Sequence, residues 1–172
     1  MSYQFNDDVL AYATISEGFR LGGSNGIAGC TAQQIASDQQ ELCALPHEEL
    51  YTPDTTTNYE LGFKSTWFAN QLHFNAALFL VKWDDAQIAG ATENGQISII
   101  SNAGSAESKG LEISTRAMLS DSMTAYATYA YTKAELTDDA QYLFGVPDDL
   151  NDTSLDAYDG DRLPGSPEQQ VS

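Results

Sequence analysis

The chain has 172 residues, enough for one ordinary domain or for a piece of something larger, and sets 25 acidic against 7 basic side chains for a formal net charge of −18. That balance excludes binding to a phosphate backbone, so nucleic acid is not an expected partner. The opening MSYQFNDDV has neither a basic stretch nor an apolar run, so no signal peptide is predicted, and the lack of any run of about 18 apolar residues excludes a helical membrane span but not a barrel of alternating strands.

Residues 9–20, VLAYATISEGFR, are rich in strand formers and end at Gly22 and Gly23, which predicts a first strand. A long polar segment follows, from 21 to 53. It holds both cysteines of the chain, Cys30 and Cys43, whose spacing fits neither a redox C-x-x-C nor a zinc motif. We expect them to form a disulfide, worth about 3 kcal/mol in the chain-entropy model and implying an oxidising compartment; a pair of free thiols is the alternative. Between them, Thr31 and Gln34 have capping-box spacing ahead of Ile35 and several alanines, so one short loop helix is expected.

Residues 56–65, TTNYELGFKS, place Tyr59, Leu61 and Phe63 on one face and Glu60, Gly62 and Lys64 on the other. After a tight connection in WFANQ, residues 72–83 read LHFNAALFLVKW, with Leu72, Phe74, Ala76, Leu78 and Leu80 on a single apolar face. The two form a hairpin. Matching their apolar faces requires paired residue numbers with an odd sum, which suggests Lys64 opposite His73 and Glu60 opposite Ala77.

DDAQIAGATENG is turn-prone, and a long strand is expected from Gln96 towards Leu119. It contains NAGSAESKGLEIS, residues 102–114, whose first half is nearly all small side chains and whose second half alternates. From Leu111 onward, Leu111, Ile113, Thr115, Ala117 and Leu119 share one face, while Glu112, Ser114, Arg116 and Met118 share the other. The small residues permit a bulge or close approach. A turn at Ser120 to Ser122 leads into MTAYATYAYTKAE, where Ala125, Ala127, Tyr129 and Tyr131 alternate with Thr124, Tyr126, Thr128 and Thr132. GDRLPGSPEQQVS then resembles the start of another strand.

Charge follows this segmentation. No Lys or Arg occurs between Leu21 and Phe63 or between Ala134 and Asp161. The acids crowd there: Asp38, Glu41, Glu48, Glu49 and Asp54 in the first segment, and eight Asp from Asp138 to Asp161 in the second. Connections that alternate long, short, long, short, long are a property of outer-membrane barrels, and Trp67 and Phe68 at a short turn with Tyr129 and Tyr131 towards a long loop suit their aromatic girdles. The rival is a soluble, secreted β-sandwich that binds glycans or calcium through acidic loops, with the apolar faces as its core.

In order along the chain, YATISEGFRLGGSN, YTPDTTTNYELGFKS, LHFNAALFLVKWDDAQ, NAGSAESKGLEIS, YATYAYTKAEL and GDRLPGSPEQQ resemble successive strands from the barrel of a TonB-dependent outer-membrane receptor. The resemblance implies an all-β, antiparallel up-and-down meander from a transmembrane β-barrel, with long acidic loops. It also implies a bacterial outer-membrane importer of ferric siderophores or similar scarce nutrients. The expected partners are outer-membrane lipid and lipopolysaccharide, a plug domain, the energy-transducing TonB protein and a siderophore-like ligand. Plugged transporter barrels have about 22 strands. About five to six are visible here, so residues 1–172 are expected to be a partial barrel without its plug. In that barrel Leu111 and Ile113 meet lipid, while Glu60, Lys64, Glu112 and Arg116 face the lumen, chiefly as a structural network against the plug. Arg20, beside the acidic loops, is a candidate ligand contact, with pairing to nearby acids as the plainer reading.

Enzymatic chemistry is not expected. His47 and His73 are the only histidines and neither has a partner at ligand or triad spacing. GGSNG lacks the P-loop lysine and the dinucleotide fingerprint. No cofactor is implied. The segment DDLNDTSLDAYDGD could hold calcium between its carboxylates, yet it does not match the EF-hand loop, and a solvated, self-repelling acidic loop is the simpler account.

Overall fold

The computed structural model describes residues 1–37, 40–102, 104–139 and 157–172. In chain order these form β1 (Ser2–Asn6), β2 (Val9–Arg20), β3 (Gly23–Ser24), α1 (Ala32–Ala36), β4 (Leu50–Tyr51), β5 (Asp54–Trp67), β6 (Leu72–Asp84), β7 (Gln87–Ala91), β8 (Ser98–Asn102), β9 (Ala106–Ser120), β10 (Met123–Leu136) and β11 (Gln169–Val171). One antiparallel sheet holds seven of the strands in the order β1-β2-β5-β6-β9-β10-β11, while β3 pairs with β4 and β7 with β8. Each neighbour in the large sheet is also the next large-sheet strand along the chain, which makes it a meander, and its two ends, β1 and β11, do not meet.

Strand periodicity sorts the side chains. Ala13, Leu61, Leu78, Leu111 and Tyr131 lie side by side across five strands on one face. One residue earlier or later along each strand, Tyr12, Gly62, Ala77, Glu112 and Ala130 lie side by side on the opposite face. The short connections, 7–8, 68–71 and 121–122, all fall at one end of the sheet, and the long ones, 21–53, 85–105 and 137–168, at the other.

The apolar face is uncovered. Ile15 is 73% exposed, Leu61 57%, Leu78 54% and Leu119 58%. In water each such side chain would forgo about 2 kcal/mol of burial. The apolar residues that are buried belong mostly to the long connections, namely Cys43, Ala44, Ala86 and Ile99; the strands of the large sheet supply Ala106 and Ala134. A sandwich needs the reverse, with the apolar faces of two sheets packed about 10 Å apart. Among the described residues no second sheet covers this face, which removes the sandwich reading.

Several expectations change in detail. The β5–β6 pairing keeps the odd sum but is displaced by two residues: Lys64 sits opposite Asn75, His73 opposite Thr66, Glu60 opposite Phe79 and Ala77 opposite Gly62. Pairing continues to Trp67 and Leu72, and Phe68 to Gln71 make a four-residue connection in which Phe68, Ala69 and Asn70 all adopt left-handed backbone angles. The expected register would have required a two-residue turn. The long strand from Gln96 is likewise two strands, β8 and β9, broken at Gly104, whose φ is +69°. DDAQIAGATENG is not only turn, because Gln87–Ala91 pairs with Ser98–Asn102 as a hairpin. The N-terminal strand β1 was not anticipated. Helix α1 carries the expected capping box, with Thr31 and Gln34 bonding reciprocally.

Candidate functional site

The polar face is concave. A hollow of about 310 Å³ opens on it, lined by Tyr12, Glu60, Lys64, Asn75, Glu112 and Ser114 among others. Two strand glycines on this face lie under aromatic rings, and one of those rings, that of Tyr12, lines the hollow. A Cβ on Gly62 would lie 2.1 Å from the ring of Tyr12, so that ring lies across the bare backbone of the next strand. Gly110 is covered in the same way by Phe79, and a Cβ there would also fall 2.0 Å from the carbonyl oxygen of Tyr131. Aromatic rings laid over strand glycines recover the packing that a missing side chain gives up. This accounts for one small residue in NAGSAESKG; another, Ala106, is buried where β9 begins.

Lying across Gly62, the Tyr12 hydroxyl donates to Glu60 Oε1, while Lys64 Nζ stands 5.4 Å from the centre of the same ring. Glu112 enters the hollow from β9, between Ala77 and Ala130. Arg116 lies on the same face but nearer the short turns, between His73 and Tyr126, with its guanidinium 5.8 Å from the Tyr126 ring. The structure therefore gathers Glu60, Lys64 and Glu112 in one hollow and leaves Arg116 outside it. None of the four forms an ion pair with another.

A second assembly ties the long-loop end together. Arg20, where β2 ends, forms an ion pair with Asp54, where β5 begins. Asp54 is 2% exposed and also accepts from Trp83 Nε1 at 2.8 Å and from the Gln87 backbone N–H at 3.0 Å. The Arg20 hydrogen bond, helped by those two donors, holds this carboxyl well below the usual carboxylate range despite its burial. Arg20 also donates to the Gln87 carbonyl at 2.8 Å and stacks 5.3 Å from the Trp83 ring. The candidate ligand contact is thus engaged in joining β2, β5, β6 and β7.

Beyond this clasp the connections 21–53 and 85–105 pack as a cap. Cys30 and Cys43 form a disulfide with a Cα–Cα distance of 4.9 Å. Glu48, 4% exposed, accepts from Leu45 N, Gln40 Nε2 and, across the loops, Glu93 N at 2.6 Å. Asn25 exchanges hydrogen bonds with Ile100, and Asn102 with Thr52. The disulfide matches the sequence expectation, whereas the bridging roles of Asn25, Gln40, Glu48 and Asn102 were not read from sequence. Their only signal is a scatter of amides and one acid in polar loops, which does not specify partners dozens of residues away. Among the described residues no three His, Cys, Asp or Glu side chains converge as a metal site. Asp38 and most of DDLNDTSLDAYDGD, including Asp148, Asp149, Asp152 and Asp156, lie outside the described residues.

An uncovered apolar belt behind a polar concavity, with loops lengthened at one end, is the geometry of a segment of membrane barrel. Comparison agrees: a family profile described as TonB dependent receptor-like, beta-barrel, matches residues 1–172. The chain belongs to the TonB-dependent receptor β-barrel family. Proteins of this family are receptors and transporters, not enzymes. The barrel segment is 26% identical over 140 residues to the ferric-pyoverdine M114 receptor PbuA of Pseudomonas sp. (strain M114), covering 80% of this chain and 14% of that protein. Its fold matches the crystal structure of the ferric yersiniabactin uptake receptor FyuA from Yersinia pestis with a TM-score of 0.66, at 20% identity, over 99% of this chain and 21% of that one. The segment therefore spans a small part of the length of either relative.

Proposed function

We propose that the chain forms one arc of an outer-membrane receptor that imports ferric siderophores or chemically similar chelates. The uncovered apolar belt carries this reading, because a sheet that leaves Leu61, Leu78 and Leu119 more than half exposed requires hydrocarbon against it. In that setting the long-loop end is extracellular and the short turns are periplasmic. The two ferric siderophore receptors among its relatives support the ligand class.

The residues divide the work. The Arg20–Asp54 clasp and the disulfide-closed cap hold the extracellular rim in a fixed shape, so a chelate arriving from outside meets an ordered wall. Below the rim, Glu60, Lys64, Glu112 and Arg116 face the lumen, where they contact the plug domain of the complete receptor. The TonB protein acts on that plug, so this arc supplies the wall and not the moving part.

The test uses the full-length receptor in iron-starved cells. Removing its gene should abolish uptake of at least one radioiron-labelled siderophore, and restoring it should recover the uptake. Equal uptake of every siderophore the wild-type strain can use, with and without the receptor, would overturn the ligand assignment. Recovery of the receptor in a soluble fraction would overturn the membrane reading itself.

A further inference from the structure

We infer that Asn94 is a self-modification site: the amide nitrogen of Gly95 attacks the Asn94 side-chain carbonyl, and the resulting loss of the amide unlatches hairpin β7–β8 from the disulfide-closed loop. The inference concerns the cap alone and goes beyond the import reading above.

The chain contains two Asn–Gly pairs, Asn25–Gly26 and Asn94–Gly95, and in both the glycine has a left-handed φ, +67° and +68°. A following glycine puts no Cβ beside the attacking nitrogen, so ring closure onto the preceding side chain meets least hindrance there. The two asparagines are held differently. Asn25 reaches across to other segments, where its Oδ1 accepts from Ile100 N at 2.8 Å and its Nδ2 donates to the carbonyls of Glu48 and Ile100. Asn94 folds back on its own backbone: its Oδ1 accepts from Gln96 N, two residues on, at 3.1 Å, an Asx-turn closure that lays the side-chain amide alongside the Asn94–Gly95 peptide. The same Oδ1 also accepts from Thr92 Oγ1 at 2.7 Å. Thr92 is 1% exposed, and its hydroxyl oxygen accepts from Ile97 N, so its own proton is directed at Asn94. Two donors thus face the oxygen on which negative charge collects as the nitrogen adds.

The step needs no reagent but water. A bond forms between Gly95 N and Asn94 Cγ, the Gly95 N–H proton passes through water to Nδ2, and the Cγ–Nδ2 bond breaks to release ammonia. Water then opens the cyclic imide at either carbonyl, leaving aspartate or isoaspartate. That product cannot hold the cap. Asn94 Nδ2 donates to the carbonyls of Gln40 and Glu41, each at 2.9 Å. A carboxylate oxygen in its place faces two acceptors with no proton to offer. The connections 21–53 and 85–105 contain no Lys or Arg to take up the new charge, and His47, the only histidine in them, already pairs with Glu93. The neighbouring contact of Glu48 with Glu93 N then opens to water.

The experiment ages the full-length receptor, purified in detergent, at neutral pH, digests it after Lys and Arg, and measures aspartate and isoaspartate by tandem mass spectrometry. Asn94 falls in peptide 83–109 and Asn25 in peptide 21–64. Asn94 should convert about tenfold faster than Asn25, the worth of one added donor, and unfolding in urea should bring the two rates together. Thr92→Val, which removes the hydroxyl donor, should slow Asn94 by about tenfold, while Thr92→Ser should match the wild type. In fresh receptor, Asn94→Asp should raise deuterium exchange at the Glu93 amide by about tenfold and leave the Gln87 amide, held by Asp54, unchanged. The inference is overturned if Asn25 converts as fast as Asn94 in the folded receptor, if the preference survives unfolding, if the Val and Ser variants age alike, or if Asn94→Asp leaves Glu93 exchanging at the wild-type rate.

Discussion

Leu78 and Ala77 are adjacent in the chain and face opposite solvents, so the same substitution at each should give opposite results. On β6 the apolar belt runs from Leu72 to Leu80, centred at Ala76. At about 3.4 Å per residue and a tilt near 40°, Leu78 lies roughly 5 Å from the belt's midpoint along the membrane normal. Leu78→Arg should therefore cost about 2 to 3 kcal/mol, just below the full midplane penalty for arginine. Ala77→Arg places the same charge in the polar concavity beside Glu112, where the expected change is within about 0.5 kcal/mol. The assay is equilibrium refolding of the full-length receptor into phospholipid vesicles across a urea series, read by heat-modifiable migration. The reasoning is refuted if the two variants lose the same stability, or if Ala77→Arg is the more damaging.

Four further outcomes follow from the rim, the cap and the packing of the sheet. Arg20→Ala strands a buried carboxylate and should loosen the clasp by about 3 kcal/mol, seen as faster hydrogen exchange at the Gln87 amide. Because the Asp54 carboxyl is held below its ordinary value, its contribution is complete above about pH 5 and fades as the pH falls through the unfolded carboxylate value towards the folded one; unchanged Gln87 protection, taken relative to the intrinsic exchange rate at each pH, from pH 6 down to pH 3 would contradict the ion pair. Reducing Cys30–Cys43 should remove about 3 kcal/mol from the cap and hasten proteolysis between residues 31 and 42, leaving the strands uncut; identical digestion with and without reductant would count against it. Gly110→Val drives a side chain into Phe79 and the Tyr131 carbonyl, and refolding yield should drop with a loss of at least about 2 kcal/mol, whereas Ser108→Val on the same face should be tolerated.

The strands were legible because each has two environments, and a period of two records both. VLAYATISEGFR became β2 with the same limits, and the faces of β5, β6, β9 and β10 follow from alternation alone. Parity gives the side of a residue but not its level. The register of β5 on β6 depended on three left-handed residues in FANQ, two of which have no evident turn preference, and the expected pairing was displaced by two. The cap was illegible for a different reason. Asn25, Glu48, Gln87 and Asn102 act through hydrogen bonds to backbone far along the chain, and no periodicity accompanies such contacts. For the hollow, the outlook of Glu60, Lys64 and Glu112 could be read, while the ring of Tyr12 across Gly62, which shapes the floor, could not.

Nearly all of the water-excluding interior of this segment lies in its cap, and the sheet below has almost none of its own. The two parts should therefore answer to different variables. Denaturants and reductants that act in water will dissolve the cap, by way of Glu48, Asp54 and the disulfide, while strand order persists. Bilayer thickness and lipid composition will govern the sheet and leave the cap nearly indifferent. A calorimetric scan should accordingly resolve separate transitions, and a single melting temperature would describe neither part.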